Sequence, residues 1–257
     1  MRVICNPASG GGAYEPASLR AVLGGLEPDW VVTKARGDAR EAAREWRGGL
    51  LVVAGGDGTM NEAVNGLGMV GFPGDVTLAL LPTGTGNDLA ATLKVPTDPK
   101  RAAEAIWAGQ TRTLDAARIR SGGVGELFFA NVAVGGAGTR VSKAADDEMF
   151  KGRWGKLSYL RASLEVARSL ETYEVRLTVD GTQHMVRAAN LVVGNCRYAG
   201  GGWPAAPQAN PEDGLLDLVV IEDTGLSDML ALTPRALART DYQESEGTFS
   251  PAVRTLR

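Results

Sequence analysis

Leu50-Leu51-Val52-Val53-Ala54-Gly55-Gly56-Asp57-Gly58-Thr59-Met60-Asn61-Glu62 is an apolar run that breaks into clustered glycines and then resumes as a helical pattern. A short apolar run closed by glycine reads as a buried strand. Glycine in regular structure costs about 1 kcal/mol relative to alanine, so Gly55, Gly56 and Gly58 together demand a backbone that bends sharply and brings its N–H groups near a ligand. Thr59 and Glu62 have the S/T-x-x-E spacing of a capping box, which predicts a helix starting at Thr59 with its amino end turned to the loop. Such an end attracts anions, by ~0.3–1 kcal/mol where exposed, so phosphate is expected there. Asp57 is then out of place. A carboxylate beside phosphate implies either Mg²⁺ between them or a part in the chemistry.

The same grammar recurs on both sides of this stretch. The run over 76–81 leads into Pro82-Thr83-Gly84-Thr85-Gly86-Asn87-Asp88, and the run over 2–5 leads into Asn6-Pro7-Ala8-Ser9-Gly10-Gly11-Gly12. Taken singly, each is an ordinary turn; three on one side of a parallel sheet make an anion-binding rim. Strands are expected over 2–5, 30–33, 50–54, 76–81 and 113–120. Helices are expected over 15–24, 38–46, 59–67, 87–93 and 99–107. This alternation describes a Rossmann-like α/β domain, a mostly parallel sheet with helices on both faces. After about residue 118 the rhythm changes. Strands over 127–134, 174–179, 183–193 and 215–221, with an Asp180-Gly181 hairpin turn, describe a mainly antiparallel, sandwich-like second domain. Two helices, over 154–170 and 227–238, interrupt it. The expected domains are 1–118 and 119–257.

Composition removes several alternatives. Lys and Arg total 27 against 30 Asp and Glu, and a net charge of −3 gives no global field for nucleic acid or an anionic membrane. The 2 cysteines, Cys5 and Cys196, lie far apart without zinc-like spacing, which points to a reducing, cytoplasmic setting. No apolar run approaches the ~20 residues that span a bilayer. There is no GxxxxGK[ST], no GxGxxG after a strand and no GxSxG elbow, and His184 is the single histidine. Acid–base groups must therefore be carboxylates. Lys151-Gly152-Arg153-Trp154-Gly155-Lys156, with Tyr159 and Arg161, reads first as the solvated start of the helix ending near Leu170, because the preceding Asp146, Asp147 and Glu148 weaken its positive field, and second as a basic and aromatic patch that suits anionic headgroups.

At its three loops the chain resembles the diacylglycerol kinase catalytic family of lipid kinases, which includes bacterial diacylglycerol kinases and sphingosine kinases. Phe129-Ala130-Asn131 leading to Gly135-Gly136, and Gly200-Gly201-Gly202 leading to Asp213-Gly214-Leu215-Leu216-Asp217, extend the resemblance into the second domain. Gly-Gly-Asp-Gly-Thr is shared with NAD kinases and phosphofructokinases; the Gly-Thr-Gly-Asn-Asp element favours the lipid kinases. The resemblance implies an ATP- and Mg²⁺-dependent transfer of a phosphoryl group to a lipid hydroxyl, by a cytoplasmic protein that touches the membrane transiently.

It further implies an ATP site formed by Asn6, Gly10, Thr33, Gly55, Gly56, Asp57, Gly58, Thr59, Met60, Asn61, Glu62, Gly84 and Thr85. Asp57 would act near the triphosphate with Asp88 and Asp115 in support, and Mg²⁺ would sit at Asn210, Asp213 and Leu215. An ordinary turn explains Asp213-Gly214 equally well. Related enzymes continue past the segment matching Ser250 to Arg257 into strands carrying an Asp-Gly-Glu motif. Two other readings therefore stay open, an NAD-kinase-like enzyme with a soluble acceptor and a nucleotide- or lipid-binding protein of impaired activity. A homodimer is compatible with the sequence.

Overall fold

The computed structural model describes residues 1–24, 28–123, 125–136, 172–222 and 248–256. Its chain divides into two compact units, Met1–Asn131 and Val132–Arg257.

In the first unit β1 (Arg2–Cys5), β2 (Asp29–Val32), β3 (Gly49–Gly55) and β4 (Val76–Pro82) form a parallel sheet in the order β2-β1-β3-β4. These strands are short apolar runs because both faces are covered. Val3, Cys5, Val52, Ala54 and Leu81 face Leu19 and Leu23 of α1 (Pro16–Val22) and its cap, and Ala102 and Ala103 of α5 (Pro99–Trp107). The alternate residues Ile4, Leu51 and Val53 are equally buried. They point to the opposite face, where α2 (Asp38–Glu45) packs by β1 and α3 (Asp57–Gly68) by β3. Small residues let α2 and α3 approach closely. A Cβ on Gly66 would collide with the Arg40 carbonyl, and Ala39, Ala42 and Ala43 supply the facing side.

Between β4 and α5 lies the short α4 (Asp88–Leu93). The strand expected over 113–120 is shorter and is no part of the parallel sheet. As β5 (Ala117–Ser121) it pairs antiparallel with β6 (Gly125–Phe129), in register Ile119 to Leu127. This hairpin packs on α3, where Phe128 meets Phe72 edge to face at 5.2 Å and lies against Gly68. The buried Asn65 amide donates to the Phe128 carbonyl (2.6 Å) and accepts from its N–H (2.9 Å). Those contacts tie residues through Phe129 to the first unit. Alternation alone marked a change of rhythm and could not show which body the hairpin would join.

The second unit is built on an antiparallel sheet. β7 (Val132–Gly136), β8 (Tyr173–Val179), β9 (Thr182–Gly194) and β12 (Leu216–Glu222) carry it, with β13 (Thr248–Phe249) and β14 (Ala252–Val253) on β12. A separate small hairpin joins β10 (Tyr198–Ala199) to β11 (Trp203–Pro204). The expected single strand over 127–134 is split between β6 and β7. Asp180 and Gly181 form the β8–β9 turn, with positive φ of 46° and 89°, as the Asp-Gly pair implied. The Asp180 carboxylate also accepts from the N–H groups of Arg254 and Thr255. The core of this sheet is Leu177, Val179, Ala188, Leu218, Val220 and Val253. The expected helices over 154–170 and 227–238, and the basic-aromatic segment over 151–161, lie outside the described residues. Among the described residues no helix is long and apolar enough to cross a membrane.

Candidate active site

The parallel register carries the ends of β1, β3 and β4 to one rim, and glycine decides how tightly their loops meet. A Cβ on Gly56 would stand 3.0 Å from the Gly84 Cα and 3.4 Å from the Ser9 Oγ. One on Gly10 would strike the Thr83 carbonyl, and Gly10 also needs its positive φ of 61°. The three loops are therefore in backbone contact, and any side chain at these glycines would force them apart.

Polar side chains lock the arrangement. Asn6 donates from Nδ2 to the Thr59 Oγ1 (2.9 Å), while its Oδ1 accepts from the Ala8 N–H (3.1 Å). Asn87, left-handed at φ 53°, accepts from the Gly84 N–H (3.0 Å) and donates to the Gly84 carbonyl (2.7 Å). Asn tolerates that conformation better than most residues, which is why it stands there. The Asp57 Oδ1 accepts from the Leu89 N–H at 3.2 Å, joining the start of α3 to α4.

Two expectations about α3 are corrected. The helix begins at Asp57, with Gly56 as its N-cap, and not at Thr59. The capping box is absent, since Thr59 lies inside the helix and its hydroxyl meets Asn6, while the Glu62 Oε1 accepts from the Gly37 N–H at 2.9 Å. The motif's spacing was met, but tertiary partners claimed both side chains. Asp57 is also less anomalous than it looked, because a carboxylate in the first turn of a helix is favoured by the helix dipole. The first intrahelical bond runs from the Met60 N–H to the Gly56 carbonyl (3.0 Å). The amides of Asp57, Gly58 and Thr59 thus precede the ladder and are free of its demands. Gly58 is exposed, has no atom within 4 Å of where a Cβ would stand, and shows no positive φ.

The remaining candidates are distributed as follows. Thr33 follows β2 and donates its N–H to the Cys5 carbonyl (2.9 Å). Thr85 and Asn61 are exposed, and Met60 is buried. Asp88 is buried at the start of α4, and Asp115 is half-buried in the irregular stretch before β5. Asn210, Asp213 and Leu215 belong to the second unit. There the Asn210 Oδ1 accepts from the Glu212 N–H (3.3 Å) and the Asp213 Oδ1 from the Leu215 N–H (2.9 Å), so both side chains close their own turns. No group of three His, Cys, Asp or Glu suited to a metal occurs among the described residues. The sequence did not single out Ser9 or Thr83, whose hydroxyl is buried without a hydrogen-bond partner. A hydroxyl at the end of a strand carries no signal of its own.

Residues 1–119 match the family described as the diacylglycerol kinase catalytic domain, and residues 131–245 match the YegS C-terminal NAD kinase beta sandwich-like domain. The chain is 32% identical to a diacylglycerol kinase of Bacillus subtilis, over 98% of this chain and 84% of that one. The chain belongs to the diacylglycerol kinase family. A diacylglycerol kinase of Mycobacterium tuberculosis is 34% identical over 91% of this chain and 77% of its own. A crystal structure of a diacylglycerol kinase from Bacillus anthracis superposes with a TM-score of 0.72 at 26% identity, covering 99% of this chain and 84% of the other. Members of this lipid kinase family are phosphotransferases with an alcohol acceptor, and the two-part architecture, a parallel α/β unit followed by an antiparallel one, is the family's fold.

Proposed function

We propose that this diacylglycerol kinase family member transfers the γ-phosphoryl group of ATP, with Mg²⁺, to the hydroxyl of a diacylglycerol-like lipid. The observation that carries the reading is Gly58. Neither backbone conformation nor any neighbouring atom of the protein requires glycine there. A glycine that its own fold does not need, at the amino end of a twelve-residue helix, leaves room for a ligand to approach the backbone.

In this reading the amides of Asp57, Gly58 and Thr59 receive phosphate oxygens. Gly10, Gly55, Gly56 and Gly84 keep the rim narrow, and Asn6 holds the first loop to α3 through Thr59. Met60 anchors the helix from the buried side, while Asn61, Thr33 and Thr85 border the nucleotide. When bound, ATP supplies the phosphoryl group and Mg²⁺ offsets the charge that develops during transfer. Asp57 keeps one carboxylate oxygen on the Leu89 N–H and has a second for a cation or a proton. Asp88 and Asp115 add negative charge to the same unit.

The oxygens of Asn210 and Asp213 and the carbonyl of Leu215 form an all-oxygen donor set, the kind a hard divalent cation prefers. After the turn bonds, the second carboxylate oxygen of Asp213 stays available to it. We assign this set a structural Mg²⁺ in the second unit. The acceptor reaches the protein from a membrane surface that it visits from the cytoplasm.

The test is ADP formation from ATP with diacylglycerol in mixed micelles, set beside calorimetry of ATP in Mg²⁺ buffer. Lipid-dependent turnover supports the reading. Turnover with NAD in place of lipid, or no heat from ATP, refutes it.

A further inference from the structure

Resting on the reading that Asn210, Asp213 and Leu215 hold Mg²⁺, we propose that Arg197 is a positioning residue that sets the affinity of their turn for the ion, without touching it. Arg197 follows β9, and its Nε donates to the Ala209 carbonyl at 3.0 Å across 12 residues of sequence. That carbonyl belongs to the peptide plane that enters Asn210, so holding its oxygen holds the plane. On the far side of Asn210 stands the buried Pro211, whose ring fixes its own φ and restricts the residue before it. Asn210 is therefore gripped from both sides.

The segment that Arg197 grips is also seated. The Arg197 carbonyl accepts from the Ala206 N–H (3.1 Å), and the Ala206 carbonyl from the Ala209 N–H (3.0 Å). Ala205, Ala206 and Ala209 are buried in one cluster with Val192 of β9 and Val219 of β12. A Cβ on Gly194 would collide with the Ala206 Cβ and stand 3.6 Å from that of Ala209. The exit of the turn is set by β12, where Asp217 pairs with Gly194. Between these anchors the Asn210 and Asp213 side chains close their turns only locally, so the orientation of the oxygen set follows from its entrance. Arg197 holds that entrance to the end of β9.

What the grip requires is a donor at the reach of the Arg Nε, not a positive charge. Arg197→Gln puts an amide nitrogen at the same number of bonds from Cα. Arg197→Met keeps the length and has no donor. If the guanidinium acted instead by repelling a nearby cation, both variants would bind Mg²⁺ more tightly than wild type.

The experiment titrates the wild-type full chain and these variants with Mg²⁺ alone, without nucleotide, by calorimetry and by the rise of the thermal midpoint with Mg²⁺. Asp213→Ala identifies the heat that belongs to this turn. Groups that orient metal ligands are worth roughly ten- to a hundredfold in metal affinity. Arg197→Met is expected to raise the Kd for Mg²⁺ at least about tenfold, and Arg197→Gln to stay within about threefold of wild type. Unchanged Mg²⁺ affinity in Arg197→Met, whatever its stability without the metal, would overturn the proposal. So would equal defects in Arg197→Met and Arg197→Gln, or tighter binding in both.

If Arg197→Met does not fold, Arg197→Asn, whose amide falls one methylene short, takes its place against Arg197→Gln and is expected to show the same loss. A wild-type chain that gives no Mg²⁺ heat, or whose heat survives Asp213→Ala, would instead refute the reading of this turn as a metal site.

Discussion

Gly56 and Gly84 meet backbone to backbone, so that a methyl group on Gly84 would run into the Gly56 Cα. Neither atom belongs to a flexible side chain, and the loops after β3 and β4 would have to separate to admit it. Gly84→Ala is expected to destabilise the fold by about 1–3 kcal/mol, as overpacking does. It should also weaken ATP binding, because the amides on the rim lose their common geometry. Urea denaturation and calorimetry measure the two effects. A variant with wild-type stability and affinity would show that the contact constrains nothing.

Asp57→Asn separates structure from chemistry at the same rim. The Leu89 N–H needs an acceptor at 3.2 Å, and the amide oxygen of Asn provides it. Stability is therefore expected within about 1 kcal/mol of wild type. If the carboxylate handles a cation or a proton during transfer, kcat falls by ~10²-fold or more. Wild-type turnover would leave Asp57 a helix-dipole and loop-joining residue only.

How far the sequence reaches is visible in these loops. Strand positions β1, β3 and β4 were legible because each is an apolar run closed by glycine or proline, and the Asp180-Gly181 turn because few dipeptides favour two positive φ values. Partners across space were not legible. Thr59 and Glu62 satisfied a local motif and yet bond to Asn6 and Gly37, which local spacing does not encode. Residues 113–120 read as one more parallel strand because a strand's sequence does not name its neighbour, and the bond from Asn65 to Phe128 spans 63 residues. The tight meeting of Gly10 with Thr83 was implied only by the joint recurrence of glycine after three strands.

Asn65 ties α3 to the β5–β6 hairpin by two hydrogen bonds to Phe128. Its buried amide serves both the N–H and the carbonyl of Phe128, so Asn65→Ala strands two backbone groups. The expected cost is about 2–3 kcal/mol. Asn65→Asp is expected to be no better at neutral pH, since a carboxylate cannot donate to the carbonyl. Denaturant midpoints measured on both variants check this, and a loss below about 0.5 kcal/mol in each would contradict it.

Asp38 gives the fold a pH dependence at low pH. The Lys34 and Ala35 N–H groups donate to its carboxylate and hold its pKa below the usual value, the Lys34 bond contributing most. A depressed pKa means the folded state favours the ionised form. Its stabilisation is present above the unfolded value of about 3.9 and is lost as pH falls through the lower, folded value. The stability difference between wild type and Asp38→Asn is expected to be constant above about pH 5 and to shrink below pH 4. A difference independent of pH down to unfolding would show that the charge is irrelevant.

Gly58→Ala is the variant in which stability and function should part company. The position lies in the first turn of α3, exposed, with ordinary φ and open space where the new methyl group would stand. Alanine restricts the unfolded chain more than glycine and favours helix, so the folded protein is expected to gain about 0.5–1 kcal/mol. If the first-turn amides receive phosphate oxygens, however, the methyl group occupies ground the ligand needs, and ATP affinity should fall at least about tenfold. Most substitutions at glycines that damage a site also damage the fold; here the two measurements are expected to move in opposite directions. A thermal midpoint that rises while calorimetric affinity for ATP is unchanged would mean that no ligand approaches the backbone at Gly58. The phosphate rim would then have to be sought at another loop.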